Sequence, residues 1–304
     1  IFIINHILYG YGSPIMNIAS LHAFLAVADT GSFSHAAGKR FVTQPAISKR
    51  IAALEHELGT RLFDRIGRRV ALTPAGIALR ERAHGLISEL MDIERAISNL
   101  SGAIAGELRI ATSHHIGLHR LPPALKSFNQ RYPDVNIDLR FMDSEQGCQA
   151  VARGDIELAV VTLPRAPLAA LKTRAVWDDP LDVVVAREHA LARKRKLTKT
   201  DLLQHPAILP GPGTYTRELI LNALGARSDL RIGMASNYLE VLKMLVSIGL
   251  GWSALPRTLI DDEVKVVHIQ NMRMTRVLGI VTHRARTLSN AGRAFCEIVG
   301  ATGQ

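Results

Sequence analysis

The stretch SHAAGKRFVTQPAISKRIAALEHEL, Ser34 to Leu58, reads as two short helices joined by a tight turn. Its second half carries the sharper signal. Thr43 is suited to cap a helix N-terminus, Pro45 sits in a first turn where its missing N–H costs nothing, and Gly59 can end the helix in a left-handed conformation. Together they frame a helix of about four turns. Ile47, Ile51, Leu54 and Leu58 follow one another at spacings of 4, 3 and 4, which makes one buried stripe, while Gln44, Pro45, Ser48 and Lys49 project from another face. Short polar groups at the start of such a helix can reach base edges in a duplex groove. A solvated amphipathic helix fits the same pattern, and this stretch alone leaves both readings open.

Before it, a helix can begin at Ser20, with Leu21, Phe24, Leu25 and Ala28 on one face and Gly31 at its end. After it, Arg61 to Leu72 offers two short apolar runs around a Gly-containing turn, which predicts a small hairpin, or wing, with Arg65, Arg68 and Arg69 at its tip. Beside a reading helix those arginines suit phosphate or minor-groove contact; a solvated basic loop is the plainer alternative. Thr73 and Pro74 repeat the cap-plus-proline signal, and a long helix follows towards Gly102. Along it Leu79, Ala83, Leu86, Leu90, Ile93, Ile97 and Leu100 recur at alternating spacings of 4 and 3, an a/d seam that needs a partner. If the partner is the same helix of a second chain, two reading helices are held at a fixed separation. Packing within the chain is the competing explanation.

The 304 residues allow two or three domains, and 47% hydrophobic with 21% charged residues describes an ordinary globular protein. The net charge of +10 favours polyanionic partners. It is locally concentrated: residues 39–82 hold 10 Lys+Arg against 4 Asp+Glu, the distribution a phosphate-gripping surface needs. A further basic run, Arg193 to Lys199, lacks interleaved aromatics and reads as a solvated loop. The only cysteines, Cys148 and Cys296, form neither a metal cluster nor a disulfide framework, which suits a cytoplasmic protein; a redox pair is the minor alternative. No apolar run approaches the roughly 18–20 residues that span a bilayer, so no membrane partner is expected. Residues 1–15 lack Lys and Arg and are interrupted by Gly10, Gly12 and Pro14, and are read as an extension outside the core, with Met16 as the natural start.

Beyond Ser101, Gly102 and Gly106 the pattern changes to strands alternating with helices, which predicts two α/β lobes on a parallel sheet. Strands are expected at Glu107–Ala111, Val135–Phe141, Glu157–Val161, Leu181–Ala186, Ala207–Leu209, Arg231–Ser236, Trp252–Leu255 and Val277–Thr282. Three polar stretches follow strand ends or open helices: Thr112, Ser113, His114 and His115; Thr162; and Thr214, Tyr215 and Thr216 after the Gly211-Pro212-Gly213 turn. Hydroxyls, imidazoles and backbone N–H groups of this kind suit a small anionic effector, although simple helix capping would use the same residues.

The order of these features resembles a LysR-type transcriptional regulator. The run LHAFLAVADTGSFSHAAGKRFVTQPAISKRIAALEHELGTRLFDRIGRRVALTPAG, then GELRIATSHH, RLPPALKSFNQRYPDVNIDL, ARGDIELAVV and SIGLGWSALP carry the resemblance, which covers roughly Asn17 to the end. It implies an α-rich head on an α/β protein: a winged helix-turn-helix at 16–73, a dimerising linker helix at 74–102, and a two-lobed α/β effector domain at 103–304 similar to periplasmic binding proteins. Lobe I would take about 103–165 and 272–304, lobe II about 166–271. The resemblance also implies that Ser34, Thr43, Gln44, Pro45, Ser48, Lys49, Arg50 and the wing arginines meet promoter half-sites in double-stranded DNA. It further implies a homodimer or homotetramer, with RNA polymerase as a further contact. Among family members, the ATSHH stretch with Thr162 and Thr214 looks most like the sulfur-assimilation (CysB-like) branch, from which His114 and His115 depart.

Enzyme readings find less support. His115 and His119 stand at i,i+4 spacing, but no Glu lies between them and no third metal ligand is evident, so neither metal nor cofactor is expected. Nucleophile-elbow, Walker A and dinucleotide-binding glycine patterns are absent. A stand-alone solute-binding protein would leave the basic head unexplained.

Overall fold

A computed structural model describes residues 17–66, 69–225 and 230–303, which divide into two compact units at Glu94/Arg95. The first unit opens with α1 (Ile18–Thr30), whose cap Asn17 accepts the Ser20 N–H at 2.7 Å. Then come α2 (Phe33–Lys39) and α3 (Gln44–Leu58); Thr43 caps α3 at its start, and Gly59, at φ +62°, turns the chain out of it. Ile47, Ile51 and Leu54 are buried with Leu21, Phe24 and Val27, and Leu58 packs at the edge of that core. Strands β1 (Phe63–Ile66) and β2 (Arg69–Leu72) form the antiparallel wing. Glu55 ties α3 to the wing by accepting the backbone N–H groups of Leu62 and Phe63 at 2.7 and 3.2 Å.

Helix α4 (Pro74–Asn99) carries two apolar faces instead of the single seam read from its spacing. Ala83 and Ile87 are buried in the head core, with Leu79 and Met91 packed against it, so Leu79 and Ala83 are committed within the chain. Leu86, Leu90, Ile93, Ile97 and Leu100 are exposed. The 4-3 spacing could not separate these faces, because a helix that packs one stripe on the head and leaves a second apolar stripe exposed shows the same repeat for both.

The second unit is built on a seven-stranded sheet in the order β10-β6-β11-β5-β3-β4, with β9 also paired to β6. Its strands are β3 (Gly106–Thr112), β4 (Val135–Phe141), β5 (Leu158–Thr162), β6 (Leu171–Ala186), β9 (Ser253–Pro256), β10 (Val264–Val266) and β11 (Met274–His283). Only β4-β3-β5 is parallel; β11 and β6 run antiparallel beside it, from Leu171↔His283 to Leu181↔Met274, and correct the expectation of a parallel sheet. The first ten residues of β6 escaped the sequence reading because Lys172, Arg174, Asp178, Asp179 and Pro180 interrupt any apolar run. These long strands run from one lobe to the other. Where they bulge, at Leu278/Gly279, a Cβ on Gly279 would lie 2.2 Å from the Arg174 carbonyl oxygen, so the close pairing requires glycine.

Alternation along β3 and β5 splits lobe I into two cores. On one face Leu108, Ile110, Leu158 and Val160 pack with α6 (Pro122–Arg131) and α11 (Asn290–Ala301); on the other Ala111, Ala159 and Val161 pack with α7 (Ser144–Arg153). Lobe II repeats the arrangement: Leu181, Val183 and Val185 meet α9 (Tyr215–Leu224) and Trp252, whereas Val184 and Leu255 meet α10 (Leu239–Ser247). A parallel pair, β7 (Ala207–Leu209) and β8 (Ile232–Ala235), flanks it. The short α5 (His114–His119) follows β3, and α8 (Lys199–Leu203) precedes β7. No helix among the described residues is long and apolar enough to cross a membrane.

Cys148 belongs to the α7 face and Cys296 to the α11 face, so the sheet separates them and they cannot pair. Burial pushes the Cys148 thiol up to about 11 and that of Cys296 up to about 12. A thiol reagent at pH 8 should therefore label the buried Cys148 far more slowly in the native protein than in denaturant; prompt native labelling of Cys148 would refute its burial.

Candidate functional site

Two surfaces bring together the polar residues singled out above. The first is the start of α3. Thr43, Gln44, Pro45, Lys49 and Arg50 are exposed and Ser48 half-buried, and Ser34 is exposed on α2. Gln44 Nε2 donates to Ser48 Oγ at 3.0 Å, so one side chain orders the other on the same face, while Thr43 is engaged as the helix cap. Phe41, absent from the sequence reading, stands 96% exposed in the turn between α2 and α3 at φ +53°. Left-handed backbone is uncommon for an aromatic residue, so nothing in the composition announced it. The side chains of Arg65, Arg68 and Arg69 lie outside the described residues.

The second is a cavity of about 190 Å³ in the other unit, lined by residues of both lobes. Ser113, His114 and His115 enter from the β3–α5 junction, Thr214 and Thr216 from the start of α9, and Asn237 and Tyr238 from the start of α10. Thr214 caps α9, its Oγ accepting the Arg217 N–H. At the cavity wall Arg276, nearly fully buried, donates to the Asp179 carboxylate through Nε at 3.0 Å and through Nη2, and to Thr216 Oγ1 at 3.1 Å. Asp179 also accepts from Arg120 Nη2 at 3.2 Å. Two guanidiniums share one carboxylate, so this cluster keeps a net positive charge. His115 is buried beside it, and burial, aided by the Arg276 charge, lowers its pKa to about 4, leaving a neutral imidazole near neutral pH.

The lining also carries two carboxylates that the sequence reading missed. Asp143 Oδ2 accepts from Asn237 Nδ2 at 2.6 Å, and Asn237 Oδ1 in turn accepts the Gly211 N–H at 2.7 Å. Glu145 Oε1 accepts the Tyr215 N–H at the start of α9, and burial raises the Glu145 pKa. These bonds connect the start of α7 in lobe I to lobe II.

Not every residue of the polar stretches reaches this cavity. Thr112 is fully buried, its Oγ1 donating to the Val160 carbonyl at 2.9 Å, and it serves the sheet. Thr162 and Tyr215 line a neighbouring cavity of about 410 Å³ with Arg165 and Thr173, and Arg276 borders both spaces. One signal could have found Arg276: it occupies an inward position of β11, between the buried Met274 and Leu278, where a charge needs a built partner.

Comparison with known proteins settles the family. Residues 101–304 match the LysR substrate binding domain, and residues 18–77 match the bacterial regulatory helix-turn-helix of the lysR family. The chain belongs to the LysR family of DNA-binding transcription regulators. A relative from Synechocystis, described as a probable RuBisCO transcriptional regulator, is 31% identical over 290 residues, covering 92% of this chain and 84% of its own. The full-length LysR-type protein CbnR, solved in complex with its target DNA, aligns with TM-score 0.63 at 22% identity over 94% of this chain and 100% of that one. The regulatory domain of Synechocystis CcmR, solved in complex with 2-PG, aligns with TM-score 0.59 at 24% identity over 66% of this chain and 98% of that one. In LysR terms, then, the first surface lies in the helix-turn-helix domain and the cavity in the effector-binding domain.

Proposed function

We propose that this regulator is an oligomeric, cytoplasmic protein that reads promoter half-sites with the face around Gln44 and Ser48 and is controlled by a small anion held in the cavity at Arg276. The observation that carries the effector reading is the arginine cluster: a buried guanidinium stands at the cavity wall, and Asp179, its carboxylate partner among the described residues, is shared with Arg120. Ser113 and Thr214 add hydroxyl groups on the same lining. The 2-PG complex of the CcmR regulatory domain supports an anionic ligand for this fold. Asp143 and Glu145 narrow the class further, because carboxylates repel a bare dianion but accept hydrogen bonds. The ligand is therefore an acid that also carries hydroxyl or ammonium donors, in preference to sulfate itself.

Thermal unfolding of the full-length chain against short hydroxy acids, amino acids, phosphorylated acids and sulfate tests this reading. A saturable rise is expected for one of the donor-bearing acids, worth about 2.7 kcal/mol at one hundred times its Kd. If no anion of the panel moves the transition, the effector reading fails.

On the DNA side, Gln44 can pair bidentately with adenine, whereas Lys49 and Arg50 supply attraction that does not depend on sequence. Replacing Gln44 and Ser48 together with alanine should remove about 1–3 kcal/mol of discrimination between specific and random DNA while leaving non-specific binding nearly unchanged. Competition binding with the two DNAs measures this; equal losses on both would contradict the base-reading role.

A further inference from the structure

Beside the cavity lies a donor set that the effector reading leaves unused. His115 and His119 are one helical turn apart on α5, with ring centroids 4.9 Å apart. Glu240, in the first turn of α10, approaches from the other lobe, its Oε1 3.2 Å from His119 Nε2. One ligand atom from each of the three residues lies within 4.8 Å of the other two.

Two further observations show that this set is incomplete as it stands. His115 is 3% exposed and its Nδ1 is buried without a hydrogen-bond partner, and Glu240 Oε2 is likewise buried and unpartnered. Leaving a buried polar atom unsatisfied is costly, and here two such atoms belong to neighbouring residues of one cluster. The other His115 nitrogen, Nε2, is 3.3 Å from Thr258 Oγ1, a contact of the kind that holds a ligating imidazole in orientation.

We propose that His115, His119 and Glu240 bind a divalent transition-metal ion of the zinc class. Two imidazoles and a carboxylate are the donors such ions take, with water completing the coordination. Metal–ligand bonds of about 2.0–2.2 Å in a tetrahedron place neighbouring ligand atoms about 3.3 Å apart. The His119–Glu240 pair is already at that spacing, at 3.2 Å, and rotation of exposed side-chain bonds brings the set together. Glu240 offsets part of the ion's charge, against the one net positive charge that Arg276, Arg120 and Asp179 together keep nearby. Because α5 packs in a lobe I core through Ile116 and α10 in a lobe II core through Leu239 and Leu242, the ion ties the two lobes together.

The test is titration of the metal-stripped full-length protein with Co2+ and no added anion. One equivalent should bind with visible ligand-field bands of low-symmetry coordination, and Zn2+ should displace it. His119→Ala and Glu240→Gln should each weaken binding by about 10-fold or more without changing the metal-free circular dichroism. Absence of the bands in the wild-type protein overturns the proposal whatever the variants do, as water filling the site would. Binding that survives both substitutions unchanged overturns it equally, by assigning the ion to another histidine. Since no effector is present, this outcome is independent of the anion reading.

Discussion

An Arg276→Ala variant is expected to lose about 3–5 kcal/mol of effector-domain stability, together with any anion-induced shift. Three of the guanidinium contacts go to buried partners, Asp179 twice and Thr216 once. Among the described residues, their removal leaves the fully buried Asp179 carboxylate with the contact from Arg120 at 3.2 Å. An uncompensated buried charge is costly, whereas removing both charges together is far less so. The double variant Arg276→Met with Asp179→Asn should therefore recover much of the lost stability and none of the anion response. Urea unfolding followed by circular dichroism, with and without the best anion of the panel, separates the two effects. Recovery of the anion response in the double variant would show that Arg276 only holds Asp179 in place.

The second large effect is expected at the exposed stripe of α4. Leu86, Leu90, Ile93 and Ile97 are 50, 37, 49 and 65% exposed, and covering a side chain of this kind is worth about 1.5–3 kcal/mol. Introducing lysine at both Ile93 and Ile97 should convert the proposed oligomer to monomer in sedimentation. Binding to a two-half-site operator should fall by about 10²–10⁴-fold, the factor that linking two reading heads supplies. Ala83→Lys, in contrast, places a charge in the head core and should unfold the head instead of separating intact chains. An Ile93/Ile97 variant that remained oligomeric would mean that this stripe packs elsewhere.

What could be read in advance follows from how local each signal is. The frame of α3 was legible because Thr43, Pro45 and Gly59 act within a turn of their own positions, and its stripe because burial repeats with the helix. The seam was only partly legible, since one spacing served two faces of α4. The first half of β6 was not, because its polar residues are held in the strand by pairing with β11, about a hundred residues later in the chain. The cavity divides in the same way. Ser113, His114, His115, Thr214 and Thr216 announce themselves beside strand ends and helix starts; Asp143, Glu145 and Asn237 sit at such junctions too, but like Arg276 they acquire their roles from partners far off in sequence. Glu240 as the third member of the His115–His119 cluster was invisible for that reason too.

On the proposed function, the cavity controls how the reading heads engage DNA. A ligand shifts that equilibrium only if it binds the two states differently, and the bonds from Asp143 and Glu145 to lobe II are the contacts such a ligand would rearrange. The most direct measurement is the footprint and bend angle of a bound operator with and without a saturating cavity anion. A changed footprint length or bend is predicted, and it should disappear in the Arg276→Met, Asp179→Asn variant. A ligand that saturates the cavity yet leaves both footprint and bend unaltered would contradict the coupling.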